Sequence, residues 1–143
     1  MDERNSMFYL TEEELKKIKN WIAKNKFSLD SGYFELHYDF TPLGSCANLF
    51  YHDGNNRYIL EIFEFECRDN IEKPVKQITI GGVRVKLALS KKSLAKYFQL
   101  ARECTTAHIE EDCEPPGYSV TFVVNKNGYK IYAGNNLLEI IPW

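Results

Sequence analysis

Short stretches of period-two alternation, broken by tight turn signals, recur along this chain and limit its fold more than any other feature. Tyr33–Phe40 sets the pattern. Phe34, Leu36, Tyr38 and Phe40 share one side of an extended chain, and Tyr33, Glu35, His37 and Asp39 share the other. Side chains that point alternately up and down make this a strand with two unlike faces. Pro42 and Gly44 then mark a turn, Cys46–His52 reads as a second strand, and Asp53-Gly54-Asn55-Asn56 as a second turn. Tyr58–Glu66 reads as a third strand, with a short helix as the alternative. Connections this short join antiparallel neighbours, so the three strands form a meander.

The same logic applies downstream. Gly81-Gly82 separates Ile78–Ile80 from Val83–Leu89, which predicts a hairpin with Val83, Val85, Leu87 and Leu89 facing the core and Arg84 and Lys86 facing away. Tyr118–Val124 and Tyr129–Ala133 flank the turn Asn125-Lys126-Asn127-Gly128, and Leu137–Ile141 adds a last strand.

Two segments carry the helical period instead. Thr11 and Glu14 form a capping box opening a helix over Thr11–Lys26. Glu12, Glu13 and Glu14 suit the positive end of its dipole, and Lys24 and Lys26 the negative end. Leu15, Ile18 and Ile22, with Trp21 beside them, form its apolar stripe. A second helix over Ser90–Cys104 is capped by Ser90, with Leu94, Tyr97, Phe98, Ala101 and Cys104 as its stripe. Thr105 and Thr106 weaken its end, and Pro115-Pro116-Gly117 terminates any remaining helix. The expected fold is α+β: a largely antiparallel sheet of about six to eight strands with two helices packed on one face. At 143 residues and 44% hydrophobic, without a linker, repeat or low-complexity tract, the chain is expected to form a single domain over 1–143.

Localisation follows from the ends and the cysteines. Met1–Ser6 is polar and acidic and lacks the basic start and apolar stretch of a secretory signal. No apolar run approaches the roughly 18 residues of a membrane span. A cytoplasmic protein away from membranes is expected. Cys46, Cys67, Cys104 and Cys113 are then free thiols packed as small apolar groups.

No catalytic motif is present. The histidines His37, His52 and His108 have no nucleophile elbow near them, and His37 and His52 read as strand residues beside tyrosines. Cys104, His108 and Cys113 lack standard zinc spacing, and the carboxylates Glu110, Glu111, Asp112 and Glu114 lack that of a calcium loop. Gly81-Gly82 leads into a strand, not a helix N-terminus, so it is no phosphate cradle. No cofactor or metal is expected.

Charge is the remaining lead. The net value of −2 conceals an alternation. Residues 27–66 hold seven acids and one base, residues 71–102 eight bases and one acid, and residues 103–125 five acids and no base. These blocks either neutralise one another in space or leave a charged face for a partner. The basic block, through Arg84, Lys86, Lys91, Lys92 and Lys96, has the chemistry to contact phosphates. It lacks a glycine–aromatic RNA-binding motif and a helix-turn-helix, which argues against a nucleic-acid partner. The acidic run Glu110, Glu111, Asp112 and Glu114, read as an exposed loop, suits a basic protein and is the expected partner-binding site.

A small α+β chain without motifs and with an acidic loop resembles the immunity proteins of bacterial toxin systems. The stretch Tyr33–Gly44 is similar in style to their strand–turn segments and carries over no functional residue. The resemblance implies a protein-binding inhibitor that blocks a cognate toxin. A regulatory or nucleic-acid-associated module using the basic block, and an enzyme with an unrecognised site, are the alternatives.

Overall fold

The computed structural model describes residues 8–41, 44–66, 75–110 and 118–142, with 104–110 and 118 as backbone only. Its elements are helix α1 (Glu12–Asn25), strands β1 (Tyr33–Thr41), β2 (Gly44–Asp53), β3 (Asn56–Glu66), β4 (Gln77–Ile80) and β5 (Val83–Lys86), helix α2 (Lys91–Glu110), and strands β6 (Tyr118–Asn125), β7 (Gly128–Ala133) and β8 (Asn136–Pro142). Six strands form one antiparallel sheet in the order β3-β2-β1-β6-β7-β8, and β4-β5 is a separate hairpin. The fold is therefore α+β, as the alternation predicts.

Two three-stranded meanders, β1–β3 and β6–β8, lie side by side with their first strands paired. Phe34 faces Val124, Leu36 faces Phe122, and Tyr38 faces Val120 across that seam. This register puts the apolar sides of both meanders on one face. Phe34, Leu36, Tyr38, Ala47, Leu49 and Tyr51 join Val120, Phe122 and Val124 in a single buried core. A one-residue slip would turn one meander's apolar side to solvent, so burial specifies the register.

α1, the hairpin and α2 cover this apolar face. Ile18 of α1 and Tyr97 of α2 both belong to the core. The capping box forms as expected, with the Thr11 hydroxyl accepting from the Glu14 N–H at 3.1 Å and Glu14 accepting from the Thr11 N–H at 2.9 Å. Beyond α1, Phe27 stacks on Tyr51 at 4.2 Å, tying the helix exit to β2. In the hairpin, Gly81 and Gly82 take φ of 57° and 90°, the positive values that a primed two-residue turn requires. Val83, Val85, Leu87 and Leu89 are buried while Arg84 and Lys86 are exposed. The Lys86 N–H donates to the Tyr129 hydroxyl at 3.2 Å, which holds the hairpin against β7. Before α1, Phe8 is fully buried against Tyr38, Phe40 and Phe122. Leu10 bridges to Val75, so this segment and the lead into β4 pin one another.

Three expectations are corrected. α2 continues to Glu110 rather than ending near Cys104. Thr105 and Thr106 have modest helix propensity, but two such residues do not stop a helix without a proline or glycine to break it. Within α2 the packed residues are Ser93, Leu94, Tyr97, Leu100 and Ala101, whereas Phe98 is 50% exposed. Tyr97 and Phe98 are 100° apart on the helix and only one faces the sheet. The third correction concerns β5, which ends at Lys86, with Leu87–Leu89 buried in irregular backbone. The alternative helix over Tyr58–Glu66 is a strand. Among the described residues no helix is long and apolar enough to cross a membrane.

Candidate binding face

The second face of the six-stranded sheet has no described element packed on it. Its residues are the polar halves of the alternating strands: Tyr33, Glu35, His37 and Asp39 from β1, Ser119, Thr121, Val123 and Asn125 from β6, and Phe50 and His52 from β2. Most are half-buried rather than exposed. Large side chains on adjacent strands shield one another at the 4.5–5.5 Å spacing of cross-strand neighbours. Between β1, β6 and the β7–β8 turn they leave an open groove of about 700 Å³. Tyr33 and Tyr132 supply aromatic surface, His37, Thr121 and Asn125 supply hydrogen-bonding groups, and among the described residues Glu35 is the only acidic or basic side chain besides His37 along it.

Two histidine–carboxylate pairs organise the groove. His37 lies opposite Thr121 in the β1–β6 register, and its Nδ1 is 2.8 Å from the Thr121 hydroxyl. Its Nε2 is 3.4 Å from Asp39 Oδ2 on the same side of β1. The hydrogen bond from His37 holds the Asp39 carboxyl below its ordinary value. Partial burial pulls the other way, and the charge of His37 adds to the lowering. In the neutral ring with its proton on Nε2, toward the carboxylate, Nδ1 accepts from the Thr121 hydroxyl, and in the protonated ring Nδ1 donates to it.

His52 is held differently. It lies opposite Tyr33, and the two rings stack at 4.7 Å and 17°. Its Nε2 is buried, makes no hydrogen bond, and sits 3.5 Å from Glu35 Oε1. Beyond it, the Arg57 guanidinium rests 4.6 Å over the Phe50 ring, a cation–π contact on the same face.

Hydroxyl, imidazole and carboxylate in a row resemble the arrangement that activates a nucleophile. The surroundings differ in one part. β1 and β6 are each paired on both sides, so their backbone N–H groups are spent in the ladder. The groove floor therefore offers no pair of backbone donors to stabilise an oxyanion. Among the described residues no group of three His, Cys, Asp or Glu side chains is placed to hold a metal ion. The face presents aromatic rings, hydrogen-bonding side chains and the carboxylates of Glu35 and Asp39.

The sequence-predicted partner site falls outside the described side chains. Glu110 ends α2 and its side chain lies outside the described residues, as do Glu111, Asp112 and Glu114. The side chains of Cys104 and His108, and Cys67 and Cys113 altogether, also lie outside them. Cys46 is a free, half-buried thiol that accepts from the Phe65 N–H at 3.4 Å. Sequence reasoning placed His37 and His52 correctly on strands but missed Tyr33, Glu35 and Thr121 as their partners. A signal was present. The polar side of Tyr33–Asp39 is built from tyrosine, histidine and acids, where a merely solvated face is commonly lysine, glutamate and threonine.

No protein-family model, no curated protein and no solved structure matches the chain.

Proposed function

We propose that this chain is a protein-binding inhibitor of the immunity-protein kind, and that the sheet face on which no described element packs is where it meets its partner. The observation that carries the reading is the groove along β1 and β6, lined by aromatic and hydrogen-bonding side chains with Glu35 as its one formal charge. Its occupant is a lysine or arginine side chain on a partner protein. Charge complementarity supports that choice. Glu35 and Asp39 stand on β1, no lysine or arginine among the described residues lines the groove, and residues 27–66, which include β1–β3, hold seven acids against one base. The Arg57–Phe50 contact shows on this same face how a guanidinium lies on an aromatic ring. A partner whose cationic catalytic side chain entered the groove would lose access to its substrate, which is how such an inhibitor would neutralise a toxin.

The test is titration calorimetry against each protein encoded by the genes adjoining this one, a toxin among them being the expected binder. Glu35→Lys should weaken binding about 30-fold or more, the effect of losing one central contact of roughly 2 kcal/mol. Lys substitutions at Glu110, Glu111 and Asp112 provide the comparison. Affinity that survives Glu35→Lys but falls with the acidic-run variants would move the site to that run. Affinity indifferent to both sets would overturn the reading.

A further inference from the structure

The opposite side of the molecule carries a surface of the other sign. From Val75 to Arg102 the chain contains seven lysines and arginines and no carboxylate. Val83 and Val85 of the hairpin are buried in the core, so Arg84 and Lys86 point away from it and from the groove. Lys91, Lys92 and Lys96 are exposed on α2. Arg84, Lys86 and these three lysines have no ion-pair partner among the described residues. Only Leu87–Ser90 separates Lys86 from Lys91, so their Cα atoms are at most about 17 Å apart, a span of a few nucleotides.

Two details mark this as more than a solvated face. α1 opens with three glutamates, as the helix dipole favours, while α2 opens with Lys91 and Lys92 and has no acid in its first turn. Cations there oppose the dipole and weaken the helix locally. Since the Ser93 N–H already donates to the Ser90 hydroxyl at 3.2 Å, an anion there is favoured by the lysines themselves. The second detail is an aromatic among the cations. Lys91, Ala95, Phe98 and Arg102 recur at spacings of four, three and four on an exposed stripe, and Phe98 is half exposed. A basic surface with an exposed ring fits a single-stranded nucleic acid: phosphates meet the lysines and a base stacks on Phe98. An anionic membrane fits less well, because Phe98 alone gives little apolar area to insert.

We infer that the β4–β5 hairpin and the outer face of α2 form a binding surface for single-stranded nucleic acid. This surface is independent of the groove and does not rest on the inhibitor reading. The test uses fluorescence anisotropy of the full chain with a labelled 12-nucleotide single strand. With about four phosphates engaged, affinity should fall roughly 50-fold between 50 and 200 mM salt. Lys91→Glu with Lys92→Glu should weaken binding at least about tenfold, since two phosphate contacts become repulsions. The same double variant should melt no lower than the parent, because it restores the charge that the dipole prefers. Phe98→Ala should cost about fivefold or more, the share of one stacked base. Glu35→Gln, in the groove, should leave binding unchanged. Absence of binding at 50 mM salt would overturn the inference, as would affinity insensitive to the lysine variants. Binding to phosphatidylserine vesicles without binding to the oligonucleotide would reassign the surface to membranes.

Discussion

Asp39 shows how one side chain on the uncovered face ties local structure to stability. Its carboxyl is held below its ordinary value of 3.8 chiefly by the hydrogen bond from His37. A carboxyl whose folded pKa is depressed stabilises the fold above its unfolded pKa, and that contribution is lost as pH falls through the folded value. The pair is on an open face and Asp39 is 43% exposed, so its contribution belongs in the range of solvent-screened pairs. Asp39→Asn should therefore lower stability by about 0.5 kcal/mol at neutral pH. The difference from the parent should shrink to nothing as pH falls below 3.8. Urea unfolding of both proteins across that window checks the sign. A gap that persists unchanged in acid would show that the asparagine acts through packing rather than charge. The identities of His37 and Asp39 were legible as strand residues. The pairing of His37 with Thr121 was not, because the partner is 84 positions away and the β1–β6 register brings it into reach.

At the scale of elements, two backbone positions make opposite predictions. Lys26 caps α1 in the left-handed region at φ 55°, while its N–H donates to the carbonyls of Ala23 and Ile22. A residue with a Cβ pays a steric cost there that glycine avoids. Lys26→Gly should raise stability by roughly 0.5–1 kcal/mol, read as a shift in denaturation midpoint with unchanged slope. Gly128 opens β7 at φ 133°, and a Cβ at that position would run into the carbonyl oxygen of Ile141 on β8. Gly128→Ala should cost at least about 2 kcal/mol, since strained backbone and a clash with a paired strand add together. Both are visible as a loss or gain in thermal midpoint. Element type was largely legible because helical and strand periods are local properties of the chain. Element faces were less so. The stripe of α2 included Phe98 on spacing alone, whereas Tyr97 beside it takes the buried position.

For the whole molecule, the core depends on segments that are distant in sequence. Phe8 packs at centroid distances of 5.0, 5.7 and 5.1 Å from Tyr38, Phe40 and Phe122. It thereby fastens the start of the described chain across the seam between the two meanders. Phe8→Ala should cost about 3–5 kcal/mol, the range for deleting a buried aromatic ring. That is a large share of the 5–15 kcal/mol typical of a domain, so guanidinium unfolding should show an early transition. Charge is also organised at this scale. The acidic block lies along β1–β3, and the basic block lies on the hairpin and α2, which cover the other face. These two blocks nearly cancel, and the acids of residues 103–125 bring the total to −2.

Alternation and turns determine by themselves that this chain forms antiparallel strands, that α1 begins at Thr11, and that Val83 and Val85 point inward. These follow from short-range sterics and from the cost of exposing apolar side chains, which act within a few residues. Alternation always defines two faces of a strand, but it does not say which face is covered. Tertiary structure decided that. The excursion through β4, β5 and α2 returns across the apolar side, and the pairing of β1 with β6 merges two meanders into one sheet. Only then do His37 and Thr121 meet, a groove open beside them, and Glu35 and Asp39 come to lie on the side away from Arg84 and Lys86.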